Sequence, residues 1–247
     1  MADRHVETRP DEPAAGRVLS VNVGAVREIR WRGARGTSAI WKQPVAGRVA
    51  VRGVNLEGDT QADRDVHGGP DKAVYAYARE DSAWWETQLD RAVEPGAFGE
   101  NLTLEGVAVT DAVIGERWHV GTTVLEVVQP RVPCWKLGVK MADPGFPRKF
   151  GAAGRPGAYL RIVREGDVGA GDEVRVMHRP DHGVTVGLVA RAYHADHALA
   201  PALPRAPELA AVWRAWAAEV EAAIGASAPA RRRPSARNEP TGAGSKP

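Results

Sequence analysis

Cys134 is the only cysteine in the 247-residue chain. A lone cysteine cannot form an intrachain disulfide, so it is a buried filler, a reactive thiol or a metal ligand. It lies in QPRVPCWKL, residues 129–137, between Arg131 and Lys136. Cations that close lower a thiol's pKa toward the nucleophilic, metal-binding thiolate. Pro130 and Pro133 fix φ on either side of Arg131 and Val132 and leave the turn little freedom.

A second polar stretch, GDTQADRDVHGGPDKAVYAY (58–77), offers Asp59, Gln61, Asp63, His67, Asp71 and Lys72 around the paired Gly68 and Gly69. Paired glycines let backbone approach a ligand, and the side chains supply both donors and acceptors. That mixture suits a heterocycle with hydrogen-bonding edges and an attached phosphate. Neither GxGxxG nor GK[ST] is present, which excludes a dinucleotide fingerprint and a P-loop. Asp59, Asp63 and His67 are four apart and could act as metal ligands on one helix face, but Gly-Gly-Pro argues for a loop. A structural turn held by Asx and backbone bonds explains the same residues.

Three further groups stand apart from these. Glu100 and Asn101 lie among glycines in PGAFGENLTLEG (95–106), where Asn101 either braces a turn or contacts a ligand. Lys42 precedes Pro44 by two residues in an extended segment and, by type, is a solvated lysine. Arg148, Lys149 and Arg155 fall in a basic, irregular stretch (141–157), readable as a lid or a surface loop. No Ser-His-Asp or paired-carboxylate constellation stands out.

The elements that position these residues are mostly short strands. TTVLEVV (122–128) leads toward Cys134 as a strand that the prolines stop, and Arg17 to Val23 and Val45 to Val54 alternate as strands do. Further strands are expected at 112–114, 116–120, 158–163 and 173–177, with a polar connection over 27–35. Arg79 to Leu89 reads as a helix with Trp84, Trp85 and Leu89 on one side. Gly and Pro punctuation with few helices indicates a mainly β domain, barrel or sandwich, over 16–180.

From Val184 the period changes to helical. Leu209, Val212, Trp213, Trp216, Val220 and Ile224 recur at helical spacing, with Pro207 in the first turn and Gly225 at the end. A small α-helical domain of about three short helices is expected over 183–225. Residues 1–15 and 226–247 read as a charged leader and a basic tail.

The tail accounts for the basic balance. Five basic residues and one acidic lie in 226–247, leaving 28 basic against 30 acidic before it. The body is therefore not expected to bind nucleic acid. No signal-peptide core and no apolar run of membrane-spanning length is seen, and with one cysteine this fits the reducing cytoplasm.

GDTQADRDVHGGPDKAVYAY, FGENLTLEG, QPRVPCWKL and GAYLRIV together resemble the MOSC domain family, named for the C-terminal domain of molybdenum-cofactor sulfurases, over roughly 34–177. The helical remainder looks like the three-α domain of bacterial YiiM-type members. The resemblance implies a β-barrel-like domain holding a molybdenum cofactor (molybdopterin), with Cys134 ligating the metal and serving as the catalytic residue. It implies Lys42, Lys72 and Arg131 as phosphate partners, Asp71, Glu100 and Asn101 at the pterin edges, and His67, Gly68 and Gly69 shaping the loop. Asp59, Gln61, Asp63 and Arg155 complete the expected cofactor-binding set. Reduction of a small N-hydroxylated compound such as a purine is the activity it implies, with electrons from a separate reductase. The alternatives are a persulfide carrier served by a cysteine desulfurase and a non-catalytic cofactor carrier. Pyridoxal phosphate is not expected in this chain, and neither is a membrane partner.

Overall fold

The computed structural model describes residues 16–31, 33–62 and 68–227. Its strands are β1 (Gly16–Val23), β2 (Arg27–Trp31), β3 (Ala34–Ser38), β4 (Gln43–Pro44), β5 (Arg48–Arg52), β6 (Asn55–Leu56), β7 (Val74–Ala78), β8 (Leu102–Glu105), β9 (Arg117–Val120), β10 (Thr123–Pro130), β11 (Ala158–Arg164), β12 (Gly166–Gly169) and β13 (Glu173–His178). The α-helices are α1 (Arg79–Leu89), α2 (Trp135–Lys140), α3 (Phe146–Ala152), α4 (Val186–His194) and α5 (Ala211–Ser227), with a 3₁₀ segment, His197–Arg205, between the last two.

The main sheet runs β13-β9-β10-β11-β7-β8-β1, and pairing of β1 with β13 closes it into a barrel. β4 extends β1, β12-β5-β6 form a second sheet, and β2-β3 form a separate ribbon. Every pairing is antiparallel except β7 with β8. Parallel neighbours need a crossover, and α1 supplies it.

The sequence of β7, VYAYA, explains how the site is suspended. All five residues are buried, because the strand has a core on each face. Val74, Ala76 and Ala78 point into the barrel with Leu104, Trp118, Leu125 and Leu160. Tyr75 and Tyr77 point the other way, into an aromatic cluster with Trp85, Phe98, Leu137, Phe146 and Phe150. Period-2 alternation of small and aromatic residues is what a strand between two cores requires. At Gly157 a Cβ would fall 2.7 Å from the Ala76 carbonyl oxygen and 2.7 Å from the Tyr77 ring, and φ is +66°. Only glycine lets the chain enter β11 at that approach.

The C-terminal helices pack on the barrel through one continuous core. Val186, Val189, Leu203, Leu209, Trp213 and Ala217 belong to the same buried cluster as the barrel residues. Trp213 Nε1 donates to Gln129 Oε1 at 2.8 Å, and Gln129 Nε2 donates to the Asp71 carbonyl at 2.7 Å. The helical region is thereby tied to β10 and to the loop before β7. No helix among the described residues is long and apolar enough to cross a membrane.

Several expected elements differ from those observed. The connection over 27–35 is mostly the β2-β3 ribbon. The strand expected over 45–54 shortens to β5, with positive φ at Gly47 and Gly53 on either side. No strand forms at 112–114, where Val113 makes a single bridge to Thr185. Pro130 does not stop β10 but ends it, opposite Ala158; its carbonyl can still pair although it has no N–H. The stretch after Cys134 is not irregular: α2 and α3 form because Leu137, Phe146 and Phe150 reach the aromatic cluster. α5 begins at Ala211, four residues after Pro207, and runs through Gly225 to Ser227.

Candidate functional site

Cys134 stands just before α2, in extended backbone (φ −120°, ψ 172°). Its carbonyl accepts the Leu137 N–H at 3.0 Å, and Leu137 is fully buried, so the turn is anchored from below. The half-buried thiol opens into a cleft of about 100 Å³ that is partly open to solvent. Lys42, Lys72, Arg131 and Lys136 line it, with Asn55, Asp59, Gln61, Asn101, Tyr75 and Tyr159. A single sulfur faces a predominantly cationic and hydrogen-bonding wall.

Beneath the cleft lies a buried charge network. Lys42 donates to both carboxylate oxygens of Asp59, and the two side chains are only 9% and 3% exposed. Asp59 also accepts the Gly24 N–H at 2.8 Å and Asn101 Nδ2 at 2.9 Å. Asn101 Oδ1 accepts the Tyr75 N–H at 3.0 Å. Burial lowers the Lys42 pKa, against the attraction of Asp59. Lys42 is thus neither a solvated lysine nor an uncommitted phosphate partner: its charge is matched internally, where it holds Asp59.

Glu100 accepts the N–H groups of Gly96 at 2.6 Å and Phe98 at 3.0 Å, and burial raises its pKa. It fixes the turn before β8 and is absent from the cleft wall, so its expected pterin contact is replaced by backbone bracing. Arg131 Nη1 donates to the Phe98 carbonyl at 2.6 Å, and its guanidinium lies 5.2 Å from the Tyr75 ring and 5.5 Å from that of Phe150. Burial opposes its charge, but Tyr75, Tyr159 and Cys134 more than offset this.

Other expected site residues divide between wall, brace and elsewhere. Gln61 lines the cleft but braces it too, donating to Val54 at 2.8 Å and Lys72 at 3.2 Å and accepting from Gly69 N–H at 3.1 Å. Asp71 turns outward to Arg161, whose Nη2 lies 2.6 Å away. Gly68 and Gly69 do not line the cleft; Gly69, at φ +89°, leads into the Pro70–Lys72 3₁₀ turn. Arg155 pairs with Asp81 and lies over Trp84 at 4.9 Å, outside this cleft. Asp63 and His67 lie outside the described residues.

Sequence reasoning missed Asn55, Tyr75, Tyr159 and Lys140. Tyr159 falls in an expected strand and Tyr75 at the end of a polar stretch, and the fact that β7 and β11 line a cleft is not visible in them. Asn55 Nδ2 donates to the Asp59 carbonyl at 2.8 Å, whereas its buried Oδ1 has no partner among the described residues. A buried acceptor without a donor costs free energy unless a ligand or water supplies one. Lys140 donates to the carbonyls of Ile40 and Gly96, and burial brings its pKa down from 10.5 to about 8, against the attraction of Glu100.

That shift has a testable sign. Between about pH 8 and 10.5 the unfolded chain holds the Lys140 proton more tightly than the folded one, so this group's contribution to stability rises with pH across the window. The Tm of the unsubstituted chain should gain on that of Lys140→Met between pH 8 and pH 10. A constant difference in Tm would show that Lys140 keeps its ordinary proton affinity.

Among the described residues no group of three or more His, Cys, Asp or Glu is arranged to hold a metal ion. The donor set fits the cofactor that the resemblance implies: one soft sulfur, clustered cations for phosphate, and the unpartnered Asn55 Oδ1 for a ring N–H.

A closed β-barrel carrying one thiol in a basic cleft, with a helical cluster packed on its side, defines the class of protein. The family model described as "MOSC domain" matches residues 63–175. A Bacillus subtilis relative, "Uncharacterized protein YflK", is 35% identical over 201 residues, covering 81% of this chain and 91% of its own. A protein named "Reductase" from Gibberella moniliformis is 32% identical over 185 residues, which cover 71% of this chain and 32% of that one. The crystal structure of YiiM from Geobacillus stearothermophilus superposes with a TM-score of 0.68 at 30% identity, covering 83% of this chain and 98% of that chain. The chain belongs to the MOSC domain family and is close to its bacterial YiiM-type members.

Proposed function

We propose that the cleft binds a molybdenum cofactor through the Cys134 thiolate, and that the chain reduces N-hydroxylated compounds with electrons from a separate protein. The observation that carries this reading is the pairing of one thiol with Lys72, Arg131 and Lys136 in a cleft that also presents an unpartnered amide oxygen. Family membership supports a cofactor-related role, and the relative named "Reductase", about three times the length of the matched segment, supports a redox one.

When bound, the cofactor supplies the two-electron chemistry by which each N–OH, with two protons, becomes N–H and water. The chain's own residues bind and orient. Cys134 would provide the sulfur, and Lys72 and Lys136 would hold the phosphate. Asn55 Oδ1 would accept from the pterin, while Lys42, Asp59 and Asn101 hold the wall rigid. Tyr75 and Tyr159 give the substrate an aromatic side. The Tyr75 hydroxyl is already committed to the Pro156 carbonyl at 2.8 Å, and burial raises the pKa of Tyr159, so the Tyr159 hydroxyl stays protonated at neutral pH.

Protein loaded with molybdenum and supplied with reduced methyl viologen should convert an N-hydroxylated purine to its amine, read by mass as the loss of one oxygen atom. A fully loaded preparation that leaves a panel of N-hydroxylated substrates unchanged would remove the reductase reading.

A further inference from the structure

The β2-β3 ribbon carries an arrangement that folding alone disfavours. Arg30 and Arg35 are directly opposed across it, and both are exposed. Neither is ion-paired with a described residue. Like charges facing one another across a strand pair are destabilising, and a two-stranded ribbon has little stability to lose. Residues 27–35 hold four arginines and one glutamate. The chain before the C-terminal tail has more acidic than basic residues, so positive charge is concentrated here.

The ribbon's place matters as much as its charge. β3 runs directly into Ser38, Ala39 and Ile40 of the cleft wall. Its other face rests on the residue after the thiol: a Cβ on Gly36 would lie 3.5 Å from the Trp135 indole, and Ile29 is buried beside it in register. Trp135 and Val132 are 39% and 38% exposed. Because strand side chains alternate, Arg30 and Arg35 stand on the face of the ribbon turned away from Trp135.

We propose that the outer face of this ribbon docks an acidic electron-carrier protein that delivers reducing equivalents to the cleft. The partner's redox role rests on the reductase reading; its acidity rests on the opposed arginines. A protein fits better than a nucleic acid because the chain before the C-terminal tail carries more acidic than basic residues.

An acidic flavodoxin serves as probe, titrated into the full chain at low salt and in about 0.5 M salt. Binding should weaken about tenfold or more with salt, as charge-steered contacts do. Arg35→Glu should weaken it about fivefold or more. The same substitution turns the like-charge pair into an opposite-charge pair, so Tm should rise by about 1–3 °C. Lower affinity with higher Tm is an outcome that damage to the fold cannot produce. Absence of flavodoxin binding at low salt, or equal binding by the Arg35→Glu protein, overturns the proposal. Tighter binding of a DNA duplex, lost in Arg35→Glu, would assign the ribbon to nucleic acid instead. Turnover driven by reduced methyl viologen bypasses the ribbon and should be equal in both proteins; its absence in both would sink the reductase reading while leaving the binding result to decide the ribbon.

Discussion

Cys134→Ala protein, purified from a host that makes the molybdenum cofactor, is expected to hold about a tenth or less of the molybdenum found in the unsubstituted chain. Even residues that only support a metal's ligands change affinity by about 10–100-fold, and Cys134 is the only sulfur ligand the cleft offers. The fold should survive the change. The turn is held by Pro130, Pro133 and the Leu137 N–H bond to the Cys134 carbonyl, none of which needs the thiol. A stability change within about 1 kcal/mol is expected, so metal loss would report on the site and not on unfolding. Elemental mass spectrometry of the two proteins decides the matter. Metal retained by Cys134→Ala would place the ligand elsewhere. No metal in the unsubstituted protein, with cofactor available in the host, would favour a persulfide carrier, recognisable as one labile sulfur on Cys134.

The second large effect is on stability. Asp59→Ala is expected to lower it by about 3–5 kcal/mol, because removing one partner of a buried ion pair leaves an uncompensated charge on the other. Lys42 would be stranded in the wall, and the Gly24 N–H and Asn101 Nδ2 would each lose an acceptor. At roughly 2–4 °C per kcal/mol for a chain of this size, thermal unfolding should move down by about 10 °C. Lys42→Met in the same background should restore a good part of the loss, since the stranded charge goes with it. An Asp59→Ala protein that unfolds within a degree or two of the original would mean that water already reaches Lys42. Both substitutions should also lower cofactor retention, through a cleft wall that is no longer fixed.

Part of this was legible in residue types and their order. The β-branched run before Cys134 announces a strand, and the change to helical spacing after Val184 marks the C-terminal helices, whereas VYAYA, the strand between the two cores, reads in sequence as the end of a polar loop. Cys134 stands out because a thiol between Arg131 and Lys136 is chemically distinctive at any position, whereas Lys72, 62 residues earlier, is tied to it only through the family resemblance. The partnerships were not legible. Lys42 and Asp59 are 17 residues apart, and nothing local says that one will neutralise the other in the wall. Among its glycines Asn101 could brace a turn or contact a ligand; it lines the cleft and its Oδ1 accepts the Tyr75 N–H, while the Glu100 carboxylate accepts the Gly96 and Phe98 N–H groups. α3 was hidden by the glycines and prolines around it, although Phe146 and Phe150, one helical turn apart, are the signal for it. Arg155 looked like one more cation near the thiol, yet Asp81 and Trp84 take it to another face.

The pairing that closes the barrel has a consequence during synthesis. Gly16 stands opposite Val174, so β1 leaves the ribosome long before the partner that pairs with it. At about 5–20 residues per second, one edge of β1 stays unpaired for on the order of 10 s. An open strand edge is a template for pairing with another chain. Nascent copies on one messenger, or chains halted before β13 is made, are therefore the population most exposed to aggregation. Finished molecules have no such seam to offer.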